Sequence, residues 1–305
     1  MPQRRWITAE EPVLWEAQDV LASRGFPFGV TTADPQAPHR LHSHHGFSEV
    51  VIVYRGEGVH FTEEEEYAVR AGDVFVVGGD RRHGFRDTRN LHLKNVCFEP
   101  RRMLLHTGLV KKLPGYHALF ELEPRYRRAH CFESRLRLPP EKLRHLLGMV
   151  AEMERELEDE APGYEYVALA LFMQLVGYLC RCYGEGTHPT ARSLLRMAEV
   201  ISHLEAHYDE PIGLADLRDM TKLSNSALNK HFREATGLPP MEYLLRVRIA
   251  RAMEQLRDDA VSITDAAFAV GFTDSNYFSR QFRRVMNTSP SAYRRRLRQG
   301  RNREA

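Results

Sequence analysis

The segments LNKHFREATGLPPMEY (Leu228–Tyr243) and FSRQFRRVMNTSPSAY (Phe278–Tyr293) align at an offset of 50 residues. That offset pairs Leu228 with Phe278, Lys230 with Arg280, Phe232 with Phe282, Arg233 with Arg283, Pro240 with Pro290 and Tyr243 with Tyr293. One residue earlier in register, Leu214 and Leu223 pair with Ile263 and Phe272. Two copies of a sequence unit imply two copies of one supersecondary structure. The unit reads as a short helix, a tight turn and a second helix. In the second copy, ITDAAFAVGF sets Ile263, Ala266, Ala267 and Val270 on one face and reaches Gly271, where the chain must turn. Thr273, Asp274 and Ser275 are good residues to open the next helix. Its buried face is expected to hold Tyr277, Phe278, Phe282 and Val285.

This leaves Asp274, Ser275, Asn276, Ser279, Arg280 and Arg283 facing outward. Short hydrogen-bonding side chains at a helix start, followed by arginines, suit a DNA major groove. Asn and Asp reach base edges, while Arg reads guanine or neutralises phosphate. The first copy offers Asn225, Ser226, Asn229, Lys230 and Arg233 in the same places. One such helix alone is as well explained by an ordinary solvated face; matched basic positions in two copies favour nucleic acid. Between the copies, Pro240–Asp259 predicts a helix of about eighteen residues, ~27 Å long. Successive major grooves on one DNA face lie ~34 Å apart. A rod of that length, with packing offsets at its ends, places two recognition helices in adjacent grooves.

The rest of the chain is organised differently. At 305 residues it has room for two domains, and 43% hydrophobic and 28% charged residues describe a soluble globular chain. The net charge of +2 is unevenly spread. From Ala191 onward there are 19 Lys and Arg against 14 Asp and Glu, whereas the preceding part is net −3. A polyanion would therefore meet the back of the chain. Cys97, Cys131, Cys180 and Cys182 fit no zinc spacing and read as structural thiols of a reducing compartment. The N-terminus MPQRRWITAEEP lacks the apolar core of a signal peptide. The apolar run Val167–Cys180 carries Gln174 and is too short to span a bilayer, so it is expected to be a buried helix.

From Gly29 to Glu99, short apolar runs such as EVVIVYRGEG, YAVRAGDVFVVGG and NLHLKNVCFEP alternate with turn residues, the pattern of a compact β-barrel or sandwich. The run Glu63–Glu66 reads as a solvated hairpin tip. From Pro139 to Gly184 the pattern is helical, with Leu143, Leu146, Leu147, Val150, Met153 and Leu157 in one stripe and a break at Pro162-Gly163. The stripe has three possible partners: the barrel, its own second helix, or a second copy of the protein. Dimerisation is the favoured reading, because helices appended to a small barrel leave apolar surface to bury. The expected fold class is α+β, in four parts. Residues 1–138 form a cupin-like effector-binding barrel and 139–184 a helical dimerisation segment; 185–190 are a linker and 191–305 an all-α domain with two helix-turn-helix units joined by a long helix.

The signatures GF-x-D-S-N-Y-F-S-R-x-F and TG-x-x-P-x-x-Y, with two such units on a long helix, resemble the AraC/XylS family of bacterial transcription regulators. The resemblance covers Ala191–Arg294. The front is similar to the same family, whose small cupin-type barrel binds effector and is followed by dimerising helices. HSHHGFSEVVIVYRGEGVHF, GDVFVV and NLHLKNVCFEP, together with DSNYFS, resemble most the rhamnose-operon activators within it. That resemblance implies base contacts by Asp274 and Asn276, and by Lys230 from the first recognition helix. Ser226 stands where those activators carry an arginine, which implies a different DNA site and leaves the effector open. Asp265 stands where such activators present an acidic residue to a sigma factor. Ser262-Ile-Thr-Asp265 is equally a capping arrangement.

His42, His44, Glu49 and Gly56, then Gly72-Asp73 leading to His83, match the two halves of the cupin metal motif, although Gly78-Gly79 replaces its usual proline. Three imidazoles and a carboxylate suit Fe, Mn, Ni or Zn. Three readings of His42, His44, Glu49 and His83 stand: recognition of sugar hydroxyls, structural hydrogen bonding, and metal binding. Sugar recognition is favoured, since each group donates to or accepts from a hydroxyl. His45 is expected to point outward, and His60, His92 and His106 to be incidental.

Together these residues describe a cytoplasmic homodimeric transcription regulator, an activator of sugar catabolism genes of the rhamnose type. Its expected partners are double-stranded DNA with direct repeats, a small-molecule effector of sugar type, and RNA polymerase. No membrane, cofactor, resident metal or catalytic residue is expected. The competing description is a metal-dependent cupin enzyme fused to a DNA-binding tail.

Overall fold

A computed structural model describes residues 13–16, 21, 26–36, 39–63, 65–78, 81–100, 102–103, 107–124, 136–185 and 189–304. The N-terminal segment 1–12, Glu64, Gly79, His106, Cys131 and the middle of the expected linker, 186–188, lie outside the described residues. The chain divides into two units, Met1–Leu195 and Arg196–Ala305.

Among the described residues the first unit has eight strands: β1 (Val13–Glu16), β2 (Phe28–Ala33), β3 (His39–His45), β4 (Ser48–Thr62), β5 (Glu66–Arg70), β6 (Asp73–Val77), β7 (His83–Phe98) and β8 (Leu136–Arg137). Their order is β1-β3-β7-β4-β6-β8, with β2 added on β7 and β5 on β4. All pairs are antiparallel except β1 with β3. The two long strands, β4 and β7, bend at their middles. There Gly56, at φ 74°, passes so close to β7 that a Cβ would lie 1.9 Å from the Asn90 carbonyl oxygen. The ladder shifts register between Val53 and Val59 at the same place, as bulges do when they re-aim a strand. One half of β7 then pairs with β3 and the other with β2, which rolls the sheet into the expected cupin-like barrel.

Alternation puts Val51 and Val53 of β4, Phe75 and Val77 of β6, and Phe85, Leu91 and Leu93 of β7 into one buried core. Asp73, fully buried, accepts from the Arg70 backbone N–H at 2.9 Å and from Arg137 Nε at 2.7 Å, which ties β8 to the start of β6. The acidic run does lie at the β4–β5 hairpin tip, but it is not simply solvated. Arg81 pairs with Glu65 and Arg86 with Glu66, each at 2.5 Å, and Arg82 with Glu63 at 2.9 Å. These arginines lead into and along β7, so the charges clip the hairpin to the neighbouring strand.

Two short helices, α1 (Thr107–Val110) and α2 (Pro114–Tyr116, continued by a π-helical turn His117–Leu122), follow the barrel. The helical pair is α3 (Pro140–Asp159) and α4 (Tyr164–Gly184), separated by left-handed residues at Glu160 and Gly163. On α3, Leu146, Met149, Val150, Met153 and Leu157 are buried within the unit, against α4 and β2. This answers the question the stripe raised: it is covered by its own chain. Glu154, on the charged side of α3, accepts from Lys94 of β7 at 2.5 Å and from Thr32 of β2 at 3.1 Å. The α4 helix runs to 21 residues, so by length and composition it could cross a membrane, contrary to the reading of its apolar run as too short. Its Phe172, Leu175, Val176 and Leu179 are nevertheless buried in the fold.

The second unit repeats itself in backbone as well as in sequence. After α5 (Pro189–Ala206), whose first residues belong to the first unit, come α6 (Leu214–Thr221), α7 (Asn225–Thr236) and α8 (Pro240–Gln255). The second copy is α9 (Ile263–Ala269), α10 (Ser275–Met286) and α11 (Pro290–Glu304). Ser224 caps α7 and Asp274 caps α10, 50 residues apart. Both α7 and α10 end on a left-handed residue, Gly237 and Asn287, before a helix that opens on proline. Tyr243 meets Phe232 with ring centroids 5.6 Å apart, and Tyr293 meets Phe282 at 5.8 Å. The linking helix has 16 residues, ~24 Å. It stops short of the expected eighteen because Asp258 folds back to accept from the Ala260 N–H at 2.9 Å, forming a turn.

Candidate nucleic-acid interface and barrel pocket

The second helix of each repeat is held by an apolar face and presents a polar one. On α10, Phe278 and Phe282 are fully buried among Ile249, Ala252, Ala266, Ala267 and Val270. On α7, Leu228 and Phe232 play the same part. Asn225, Ser226, Lys230 and Arg233 are exposed, as are Asp274, Asn276, Arg280 and Arg283. Asn229, Ser275 and Ser279 are half-buried. Each repeat therefore sets a short run of hydrogen-bonding side chains and two cations along one accessible helix face.

Local chemistry constrains several of these side chains. Asp274 Oδ1 accepts from the N–H groups of Asn276 at 2.7 Å and Tyr277 at 3.2 Å, so one carboxylate oxygen is engaged in capping. The Asn229 side chain donates to the Asn225 carbonyl at 2.8 Å. Arg284 pairs with Glu242 at 2.8 Å and links α10 to α8; both it and its neighbour Arg283 are exposed. Asp265 is exposed and engaged: Ser262 Oγ donates to Asp265 Oδ2 at 2.6 Å and accepts from the Asp265 N–H at 3.0 Å.

Tyr277 does not join the buried face; it is 46% exposed, with the Arg280 guanidinium 5.8 Å from its ring centroid. The sequence signal was available, since Tyr277 aligns with Ala227, a position where the first copy needs no large apolar group. Tyr277 thus belongs to the outward surface of α10.

In the barrel, the four residues singled out from the sequence do converge. Alternation on β3 turns His42 and His44 inward and leaves His45 exposed. His42 lies opposite His83 of β7, and Glu49 comes from the start of β4. His83 Nε2 is 3.3 Å from His44 Nε2 and 3.5 Å from Glu49 Oε1, and His44 Nε2 is 3.9 Å from Glu49 Oε2. All four are buried.

Burial shifts the protonation of His44, His83 and Glu49. It lowers the His44 pKa to about 3, aided by His42, and lowers that of His83 well below its usual value, aided by His60, His42, His44 and Arg81. It raises that of Glu49 to about 8. His44 and His83 are therefore neutral imidazoles beside a Glu49 carboxyl group that resists ionisation, groups able to donate and accept hydrogen bonds.

His60 is not incidental, as the sequence reading had it. Its Nε2 lies 2.9 Å from His83 Nδ1, and the ring sits among Tyr67, Phe75 and Phe85. Within GVHFT all side chains are apolar or compatible with burial, so the sequence does not show which parity faces inward. The pairing of His60 with Phe85 makes it a diagonal neighbour of His83 on one face. His92 also has partners, Asn90 at 2.8 Å and Asp34. A separate apolar groove opens beside α4, lined by Phe98, Met103, Phe120, Phe172 and Met173 among others.

Comparison with known proteins agrees with both halves. Residues 5–176 match the model of the AraC-like ligand binding domain and residues 217–296 that of a helix-turn-helix domain. The HTH-type transcriptional activators RhaS of Shigella sonnei and of Escherichia coli K12 are each 34% identical over 270 residues, 88% of this chain and 90% of theirs. A crystal structure of an AraC-type transcriptional regulator from Chromobacterium violaceum is 29% identical, covering 35% of this chain and 96% of that one, with a TM-score of 0.33. With a ligand-binding barrel in front and a duplicated helix-turn-helix unit behind, the chain belongs to the AraC family of transcription regulators.

Proposed function

We propose that this regulator activates sugar catabolism genes by reading two adjacent major grooves with α7 and α10, under control of a small molecule in the barrel. The observation that carries the DNA reading is the repeat itself. Two copies of one helix, with exposed cations at Lys230, Arg233, Arg280 and Arg283, are joined by a rod of ~24 Å. Asn276 and the second oxygen of Asp274 reach base edges from α10, and Lys230 does so from α7, while the remaining cations meet phosphate. Ser226 in place of an arginine relaxes readout at one position of the first half-site.

The effector is a polyhydroxylated molecule that meets His42, His44, Glu49 and His83, as the likeness to RhaS suggests. A buried set of donors and acceptors discriminates between isomers because a mismatched hydroxyl leaves a partner unpaired. The effector shifts function only through different affinities for two arrangements of the protein. The protein works in the cytoplasm as a homodimer on direct repeats. Its dimer face lies on α4, where Tyr166, Val167 and Met173 are exposed beside the apolar groove. Asp265, exposed on α9, is the contact offered to RNA polymerase. No reaction is assigned to the chain, since the DNA-binding unit accounts for a third of it that an enzyme does not need.

Selection of bound genomic fragments tests this. Enriched fragments sharing paired boxes one helical turn apart support it, and enrichment without a shared sequence refutes it. Melting the protein against a panel of monosaccharides tests the effector. A shift with one or a few sugars is expected, and no shift with any of them, rhamnose included, counts against a sugar effector.

A further inference from the structure

The barrel cluster gathers the donor groups of a coordination shell, with His44 and His83 already at the separation of two ligands on one ion. One ligand atom from each of His42, His44 and His83 lies within 4.8 Å of the others. Two nitrogens bound at ~2.1 Å to one ion stand about 3.0–3.4 Å apart for octahedral or tetrahedral angles. His44 Nε2 and His83 Nε2 are 3.3 Å apart, and Glu49 Oε1 is 3.5 Å from the latter. An ion at the centre would take one lone pair from each of these groups.

The surroundings fit as well. His83 offers Nε2 to the cluster, and the hydrogen-bond partner of its other nitrogen is His60. Metal-bound histidines are commonly fixed in tautomer and orientation by such an outer partner. Phe47 stacks on His44 at 4.5 Å and Phe75 and Phe85 enclose His60, so the shell is dry on its inner side. A set of three imidazoles and one carboxylate prefers first-row transition ions over Mg²⁺ or Ca²⁺.

We propose that His42, His44, His83 and Glu49 hold a divalent first-row transition-metal ion, with His60 as the positioning residue for His83. This departs from the expectation of a pocket without resident metal. The ion keeps coordination positions for an oxygen-donor molecule, so the effector is recognised by chelation as well as by hydrogen bonds. That last clause rests on the effector reading above; the metal site itself is measured independently of it.

The experiment uses the full chain, purified without a polyhistidine tag, stripped with chelator and titrated with Co²⁺ alone. Visible absorption that saturates at one equivalent per chain is expected, with one equivalent of Zn²⁺ displacing it. His44→Gln and Glu49→Gln should abolish or strongly reduce the signal, while His45→Gln, at the exposed neighbour, should leave it unchanged. His60→Gln should keep the stoichiometry and weaken affinity roughly 10–100-fold, an effect that loss of simple packing would not confine to metal. Circular dichroism and operator binding show that each variant is folded. Absence of any Co²⁺ spectrum or retained metal in the folded wild-type protein overturns the proposal, as does binding that survives both His44→Gln and Glu49→Gln. A sugar-dependent shift in the melting point of a protein that binds no metal leaves the effector reading standing while the metal site falls.

Discussion

Lys222 and Gly271 occupy the same turn of the two repeats, both in left-handed conformation, at φ 57° and 87°. Each follows the first helix of its unit and lets the second one cross it. At Gly271 a Cβ would lie 2.7 Å from the Asp209 carbonyl oxygen, whereas Lys222 carries a full side chain in a conformation L-residues disfavour. The two repeats thus solve one turn with different residues. Gly271→Ala should destabilise the second unit by about 2–3 kcal/mol. Lys222→Gly should stabilise the first by roughly 0.5–1 kcal/mol. Denaturant midpoints measure both, and equal effects at the two positions would contradict the assignment.

Arg280 and Lys230 are matched by the repeat but should differ in readout. Arg280→Ala should weaken operator binding, with a base-specific share of ~1–3 kcal/mol. A cation that only meets phosphate, as expected for Arg233 or Arg283, should weaken all sequences alike and lower the salt slope by about one. Unchanged affinity of Arg280→Ala at physiological salt would remove α10 from the groove. Tyr277, which packs beside Arg280, gives a companion test: Tyr277→Ala should lower affinity without unfolding α10, because its ring is not in the core.

Asp265 separates two roles that the sequence left joined. Ser262 Oγ accepts from the Asp265 N–H whatever side chain follows, so the cap survives substitution at 265. Asp265→Ala should therefore cost less than ~1 kcal/mol of stability, and Ser262→Ala about 1 kcal/mol. If Asp265 contacts the polymerase, Asp265→Ala should lose transcription in a reconstituted assay while operator affinity stays the same. Full transcription by Asp265→Ala would leave it as a capping residue.

The repeat was the most legible part of the chain because both its apolar spacing and its turn residues recur. The barrel was legible as strands from runs such as Val50–Val53 and Val74–Val77, and convergence of His42, His44, Glu49 and His83 followed from residue type and spacing. What the sequence left hidden depends on tertiary pairing. His60 joins the cluster only because β4 and β7 bend at Gly56 and bring His60 diagonal to His83. Likewise, periodicity shows that α3 has an apolar stripe, but not that α4 and β2 cover it. The outward position of Tyr277 shows the same limit: an aromatic at an apolar spacing need not face the core.

With the α3 stripe covered by its own chain, the proposed dimer face is the exposed side of α4. Tyr166, 86% exposed, and Met173, 38% exposed, lie seven residues apart on one side of that helix. Met173→Glu with Tyr166→Ser should shift the protein from dimer to monomer in sedimentation equilibrium while its far-UV spectrum stays unchanged. A dimer that persists in this variant would place the interface elsewhere.

In the proposed mechanism one protomer reads two adjacent grooves with its duplicated helices. Hydroxyl-radical footprinting of the purified protein on a selected operator measures this directly. Two protected windows per protomer, about 10 bp apart on one DNA face, are expected. Arg280→Ala should weaken one window and Lys230→Ala the other. A single window per protomer, or loss of both windows together in each variant, would contradict the account.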